Sequence, residues 1–212
     1  MSAPVRGPGR PRSEQAENAI LDAALEILVE DGAGRVSMEA IAARAGVGKA
    51  TIYRRWKHKS ALLVDAVMRV TEPVRPVHTD DLRADLITLA EQVRRKMSQS
   101  MAGRIMPRLM SAAIDDPELM QVYWEKAVLP RREMATTRLQ EAIDAGELCA
   151  DLEPDLLADM LFGPTVYRKL FSAVRPLPNR AMIEQVVEVV LAGARPDARP
   201  GPVSQGVRAS DA

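Results

Sequence analysis

The sequence predicts an all-α protein, and three observations predict it. Apolar residues recur with a 3.6-residue period along most of the chain, Gly and Pro fall where those runs end, and two short runs are hinged at a glycine. The arrangement expected is an N-terminal three-helix domain, residues 13–72, ahead of a larger helical domain, residues 78–194. With 212 residues and 47% hydrophobic composition, the chain can bury a substantial core as one body or two small helical domains.

The first element follows a segment too rich in Pro, Gly and Arg for regular structure, so residues 1–12 are expected to be a disordered basic arm. Ser13 is expected to cap a helix running to Asp31, with Ile20, Ala23, Ala24, Ile27 and Leu28 on its apolar face and Gly32 at its end. A second helix begins after Ser37, whose hydroxyl can accept from an unpaired backbone N–H, and Glu39 suits the positive end of its dipole. Met38, Ile41, Ala42 and Ala45 form its inward face, and Gly46 ends it by tolerating the left-handed conformation.

From Val47 a third helix is expected. Val47 and Ile52 face inward, while Gly48, Lys49, Thr51 and Arg54 point outward as a donor-rich row. Gly48 and Ala50 carry little side chain, so this helix can approach another surface closely, as entry into a DNA major groove about 12 Å wide requires. Between Glu39 and Asp65 there is no acidic residue, whereas Arg44, Lys49, Arg54, Arg55, Lys57 and Lys59 are all basic. A phosphate backbone complements that excess.

These residues carry a resemblance. Ile41, Ala42, Ala45, Gly46, Val47, Thr51, Ile52, Tyr53, Trp56, Lys59 and Leu62 match every fixed position of the helix-turn-helix pattern of the TetR family of bacterial transcriptional repressors. The resemblance implies that Lys49, Thr51 and Arg54 face base edges, and that Ser37, Gly48, Tyr53, Arg55 and Lys59 meet phosphates, with Arg44 also near the backbone. Gly48 stands where the family often has serine, so a hydroxyl contact is missing there. The basic arm is either a solvated tail or a second contact through Arg6, Arg10 and Arg12.

A fourth helix from about Lys57 to Thr71 is expected to end before Pro73 and Pro76, and TEPVRPVH is the domain boundary. Beyond it, Leu82, Leu86, Leu89, Val93 and Met97 form a single helical stripe. A helix should start at Asp116-Pro117 and reach Gly146 with a kink at Pro130. Two strongly apolar helices, 154–174 and 179–194, cover too wide an arc for one-sided packing, which suggests burial against a second copy of the chain. Residues 195–212 are expected to form a disordered tail.

The segment from Asp116 to Leu148 also resembles a recurrent C-terminal domain of the same family. That resemblance implies a homodimer whose C-terminal domain encloses a small-molecule effector and alters the spacing of the two reading helices on double-stranded operator DNA. Ligand-contact candidates are Met97, Met101, Met110, Met120, Tyr123, Trp124, Phe162 and Tyr167, because methionine suits a deformable apolar pocket. Arg104 and Arg108, if inward, would favour an anionic ligand. The rival reading is a constitutive helix-turn-helix or architectural DNA-binding protein without a ligand.

Other classes receive no support from the residues. A single cysteine, Cys149, and two isolated histidines, His58 and His78, give no disulfide, metal site or catalytic constellation, and no cofactor is implied. Formal net charge is zero, but residues 1–71 hold 11 Lys+Arg against 8 Asp+Glu, so basic character is segregated to the N-terminal third. With no membrane span or leader-like run, a cytoplasmic location is expected. Lys59→Ala should lower affinity for all duplexes and reduce the salt slope by about one. Thr51→Ala should relax preference at one base position, and equal loss on operator and random DNA in a binding titration would refute its reading role.

Overall fold

The computed structural model describes residues 10–198, apart from Glu72, Ser100 and Ser172. Arg6 and residues 199–212 lie outside the described residues, as do the side chains of Arg10, Arg12, Met101 and Arg104. Ten α-helices make up the fold among the described residues: α1 (Arg10–Glu30), α2 (Met38–Ala45), α3 (Lys49–Tyr53), α4 (Lys59–Arg69), α5 (Leu82–Gln99), α6 (Met101–Ile114), α7 (Pro117–Tyr123), α8 (Leu129–Asp144), α9 (Pro154–Leu170) and α10 (Arg180–Ala194).

Local chemistry explains most boundaries. Ser37 Oγ accepts from Ala40 N–H at 3.1 Å and Asn179 accepts from Met182 N–H at 2.9 Å, each satisfying a helix-start donor. Asp116 caps α7 in the same way, with Pro117 in its first turn, where a missing N–H costs nothing. Gly46, at φ 65°, lets Val47 N–H turn back to Ala42 C=O at 3.1 Å. Val47 is thereby used up in the hinge, and the third helix starts at Lys49 with Gly48 as its cap rather than at Val47.

Other expectations are corrected. The first helix begins at Arg10, so Ser13 lies within it and caps nothing; its hydroxyl instead accepts from Arg55 at 2.8 Å. The fourth helix starts at Lys59 and stops at Arg69, because the chain must turn at Lys57-His58 to bury Trp56. Pro130 does not merely kink one long helix. Residues Trp124–Val128 widen into a π-helical turn, in which Leu129 N–H bonds to Trp124 C=O, between α7 and α8. Pro196–Ala198 form a 3₁₀ turn where a disordered tail was expected.

The chain divides by sequence near residue 72, but its cores divide elsewhere. One core joins Ile20, Leu28, Ile41, Ile52, Trp56, Leu62 and Leu63 from α1 to α4 with Ile105, Leu109, Leu119 and Tyr123 from α6 and α7. The second joins α5, α8, α9 and α10 through Leu86, Leu89, Val93, Leu139, Leu161, Ile183 and Val187. The stripe expected on α5 is therefore core, with Leu82 partly buried at its edge.

The connecting segment after α4 is strapped along α5. Gln92 accepts from Arg75 N–H at 2.7 Å and donates to Arg75 C=O at 3.1 Å. Asp85, fully buried, accepts from Thr79 N–H, Thr79 Oγ1 and Arg138 Nε at 2.9, 2.7 and 2.9 Å. Burial pushes its carboxyl up, but the bonds from Thr79 and Arg138 outweigh that and leave it below the ordinary aspartate value. A lowered carboxyl pKa stabilises the fold above the unfolded-state value, and that contribution is lost as pH falls through the folded-state one. Asp85→Ala should therefore destabilise the protein by about 3 kcal/mol at pH 7, with a smaller difference from wild type toward pH 3, measured by denaturant unfolding.

Candidate nucleic-acid interface and its coupled cavity

α2 and α3 meet at the Gly46 hinge, and α1 and α4 brace them from behind. Ile52 and Trp56 are buried, which fixes the rotation of α3 and leaves Gly48, Lys49, Ala50, Tyr53 and Arg54 exposed on its outer side, with Thr51 half-buried among them. The outward row expected from the sequence is thus one continuous surface. Ser37 sits beside it at the start of α2, and Lys59 opens α4.

Charge on this surface is not free. Lys49 Nζ lies 2.8 Å from Glu39, Arg44 lies 2.6 Å from Glu30 and 3.5 Å from Asp31, and Arg55 pairs with Glu17. The Lys49 bond holds the Glu39 carboxyl below its usual range and raises Lys49 in turn. Among the described residues, Arg54 and Lys59 form no ion pair. The sequence gap in acidic residues from 39 to 65 is therefore filled in space by α1, which linear charge counting did not anticipate.

The far end of α3 is anchored by one carboxylate. Trp56 Nε1 donates to Asp65 Oδ2 at 2.9 Å, and Lys126 Nζ donates to Asp65 Oδ1 at 2.6 Å. Asp65 lies on α4 and Lys126 in the π turn, so a single side chain ties the reading helix to the larger domain.

On the other side of that turn lies a small cavity of about 10 Å³, room for one water. Val67, Met68 and Thr71 of α4, Lys96 and Met97 of α5, Gly103 and Met106 of α6, Tyr123, Ala127 and Arg131 line it. It lies at the seam of the two cores. Of the ligand candidates, Met97 and Tyr123 converge here.

The structure places the others apart. Met110 packs half-buried on the first core, Met120 and Trp124 are exposed, and Phe162 belongs to the second core. Trp124 stacks under the Arg132 guanidinium at 5.5 Å. Tyr167 is 61% exposed, its ring 4.9 Å from that of Phe171, on a strip with Leu156, Met160 and Leu170 along the outer face of α9. Lys96 and Arg131 escaped the sequence reading because ordinary charged residues on amphipathic helices carry no local mark of burial.

A larger open cleft, about 640 Å³, lies beside α4 between Gly32 and Glu118. Its walls are polar and carry both signs of charge, from Lys59 and Arg108 to Asp115, Asp116 and Glu118, unlike the mostly apolar lining of a small-molecule site. Neither histidine approaches a metal-like cluster, and no such group occurs among the described residues. No helix among them is long and apolar enough to cross a membrane.

A glycine-hinged helix pair with an exposed basic second helix, joined through α4 to a separate helical core, defines a helix-turn-helix DNA-binding regulator. Residues 20–66 match the model described as bacterial regulatory proteins, tetR family, and residues 76–190 match the tetracyclin repressor-like C-terminal domain. The chain belongs to the TetR family of bacterial transcriptional regulators.

It is 35% identical over 165 residues to the uncharacterized HTH-type transcriptional regulator YdeS of Bacillus subtilis, covering 77% of this chain and 83% of that one. It is 30% identical over 190 residues to the DNA-binding transcriptional repressor TetR of Mycobacteroides abscessus, covering 89% and 98%. The crystal structure of the TetR family transcription regulator SCO0332 superposes with a TM-score of 0.62 at 30% identity, over 86% of this chain and all of that one.

Glu39 neutralises Lys49 on this surface, so removing its charge leaves the surface more positive and should favour DNA of any sequence. Glu39→Gln is expected to tighten binding to operator and random duplexes alike by roughly two- to five-fold at low salt, an effect that fades as salt rises. Fluorescence anisotropy across a salt series measures both.

Proposed function

We propose that this regulator is a homodimeric repressor that reads a pseudo-palindromic operator and releases it when an effector fills the cavity at the core seam. One observation supports the reading above others: α4 serves both sites. Its inner face, Val67, Met68 and Thr71, lines the cavity, while its Asp65 holds Trp56 at the end of the reading helix.

Any side chain or ligand that pushes α4 outward moves the anchor of α3 with it. Two reading helices on one face of B-DNA must stand about 34 to 36 Å apart, so a displacement of a few ångströms in each protomer weakens specific contact. Lys49, Thr51 and Arg54 are then the base-facing residues. Ser37, Arg44, Gly48, Tyr53, Arg55 and Lys59 are the backbone-facing ones, with Arg44 and Arg55 exchanging carboxylates for phosphates. A protein acting on chromosomal DNA belongs in the cytoplasm.

The dimer is assigned to α9 and α10, residues 154–174 and 179–194. Leu156, Met160, Tyr167, Leu170 and Phe171 leave an apolar strip on α9, and Val189 is 64% exposed on α10. A strip of this kind on a helix whose other face packs into the second core marks an association surface. The small size of the seam cavity, with room for one water, is the observation that favours the constitutive, ligand-free alternative, and the effector reading requires that cavity to widen.

Selection of bound duplex fragments by the full-length protein should yield half-sites related by two-fold symmetry, occupied by two chains in sedimentation. Tyr167→Glu should convert dimer to monomer and lower operator affinity at least tenfold, with helical circular dichroism retained. A variant that stays dimeric and binds normally would place the interface elsewhere.

A further inference from the structure

We propose that the seam cavity is the receptor for a small organic acid, its carboxylate held between Lys96 and Arg131 and its hydrocarbon body displacing Met68, Met97 and Met106. The inference rests on the effector reading above and names the chemistry of that effector.

The lining is chemically one-sided. Val67, Met68, Met97, Met106 and Ala127 supply apolar surface, and Thr71 spends its hydroxyl on Val67 C=O at 2.6 Å. Two cations enter from facing elements, Lys96 on α5 and Arg131 on α8, and no carboxylate lines the cavity among the described residues. Arg131 is buried, and its guanidinium is close enough to the Tyr123 hydroxyl to offset part of the rise that burial imposes on that phenol.

Two positive groups around one small desolvated space repel each other. Burial first, and the Arg131 charge second, push the Lys96 ammonium down to about 8. An anion placed between them reverses both effects, which a neutral or cationic guest of the same shape cannot do. A carboxylate suits the pair because the guanidinium offers a planar fork and the ammonium a point charge.

The cavity is small, and its lining explains how it widens. Three of its walls are methionines, unbranched and readily repacked, so their side chains can withdraw and leave a slot for an alkyl or aryl body. The corner between α5 and α6 cannot give way in the same manner. A Cβ at Gly103 would overlap the carbonyl oxygen of Met97, so the two helices touch backbone to backbone there. Expansion is directed instead toward α4 and the π turn, the two elements that hold Asp65.

Lys96 with a lowered pKa costs stability at neutral pH, fully below about 8, and the cost fades as pH rises toward the unfolded-state value. Lys96→Met should therefore melt no lower than wild type at pH 7. That separates a binding defect from a folding defect.

The test titrates the full-length dimer by calorimetry with octanoate, 1-octanol and octylammonium, each below its aggregation threshold. Octanoate is expected to bind once per chain and at least tenfold more tightly than octanol, with proton uptake near pH 8 and weaker binding at pH 9. Octylammonium should not bind. Lys96→Met and Arg131→Gln should each weaken octanoate at least tenfold while leaving octanol unchanged.

Equal binding of octanol or octylammonium, octanoate binding that survives both substitutions, or no octanoate binding to a protein that still dimerises and binds DNA would each overturn the proposal. Octanoate bound in the predicted manner with operator affinity unchanged would instead support the acid site and overturn the release step of the repressor reading.

Discussion

Burial of Ile105, Leu109, Leu119 and Tyr123 against α1 and α4 is the contact on which the rest of the molecule depends. Each such side chain contributes about 2 kcal/mol of apolar burial, so the DNA-reading half owes much of its core to helices that follow the domain boundary in sequence. The helix-turn-helix is therefore not a free module on a tether. Its backing helices are held by α6 and α7, and only α5 and the last three helices form a core of their own. A seam between two cores is where packing is easiest to change without unfolding either.

The same organisation explains the electrostatics. α1 supplies both the apolar backing of α2 and α4 and the carboxylates that hold Arg44 and Arg55. In the DNA-free protein these cations are placed by ion pairs whose worth in water is small, and a phosphate can replace a carboxylate at little net cost. Basic side chains are held on the reading face while the chain as a whole keeps zero net charge.

How much of this was legible in the sequence follows from range. Ser37, Gly46, Asp116-Pro117 and Asn179 act on backbone groups within a few residues, so the ends they set could be read directly. The exposed side of α3 was legible for the same reason, since Ile52 and Trp56 fix which side of a short helix faces out. What escaped acts over distance. Asp85 meets Arg138 53 residues away, Asp65 meets Lys126 61 residues away, and Glu17 meets Arg55 across 38. The break into α6 escaped too, because α5 and α6 are both helical by pattern and only the fold reveals that Gly103 lies against Met97. The π turn lies just before Pro130, where periodicity alone cannot distinguish it from a kink.

The backbone contact at Gly103 has a consequence for how this protein can change over generations. It fixes the corner of the cavity through main-chain atoms, which side-chain substitutions elsewhere do not disturb. The remaining walls are contributed by individual side chains from α4, α5, α6, α7, the π turn and α8, each replaceable one at a time. Descendants can therefore alter the wall residues a few at a time while inheriting the same mechanical frame.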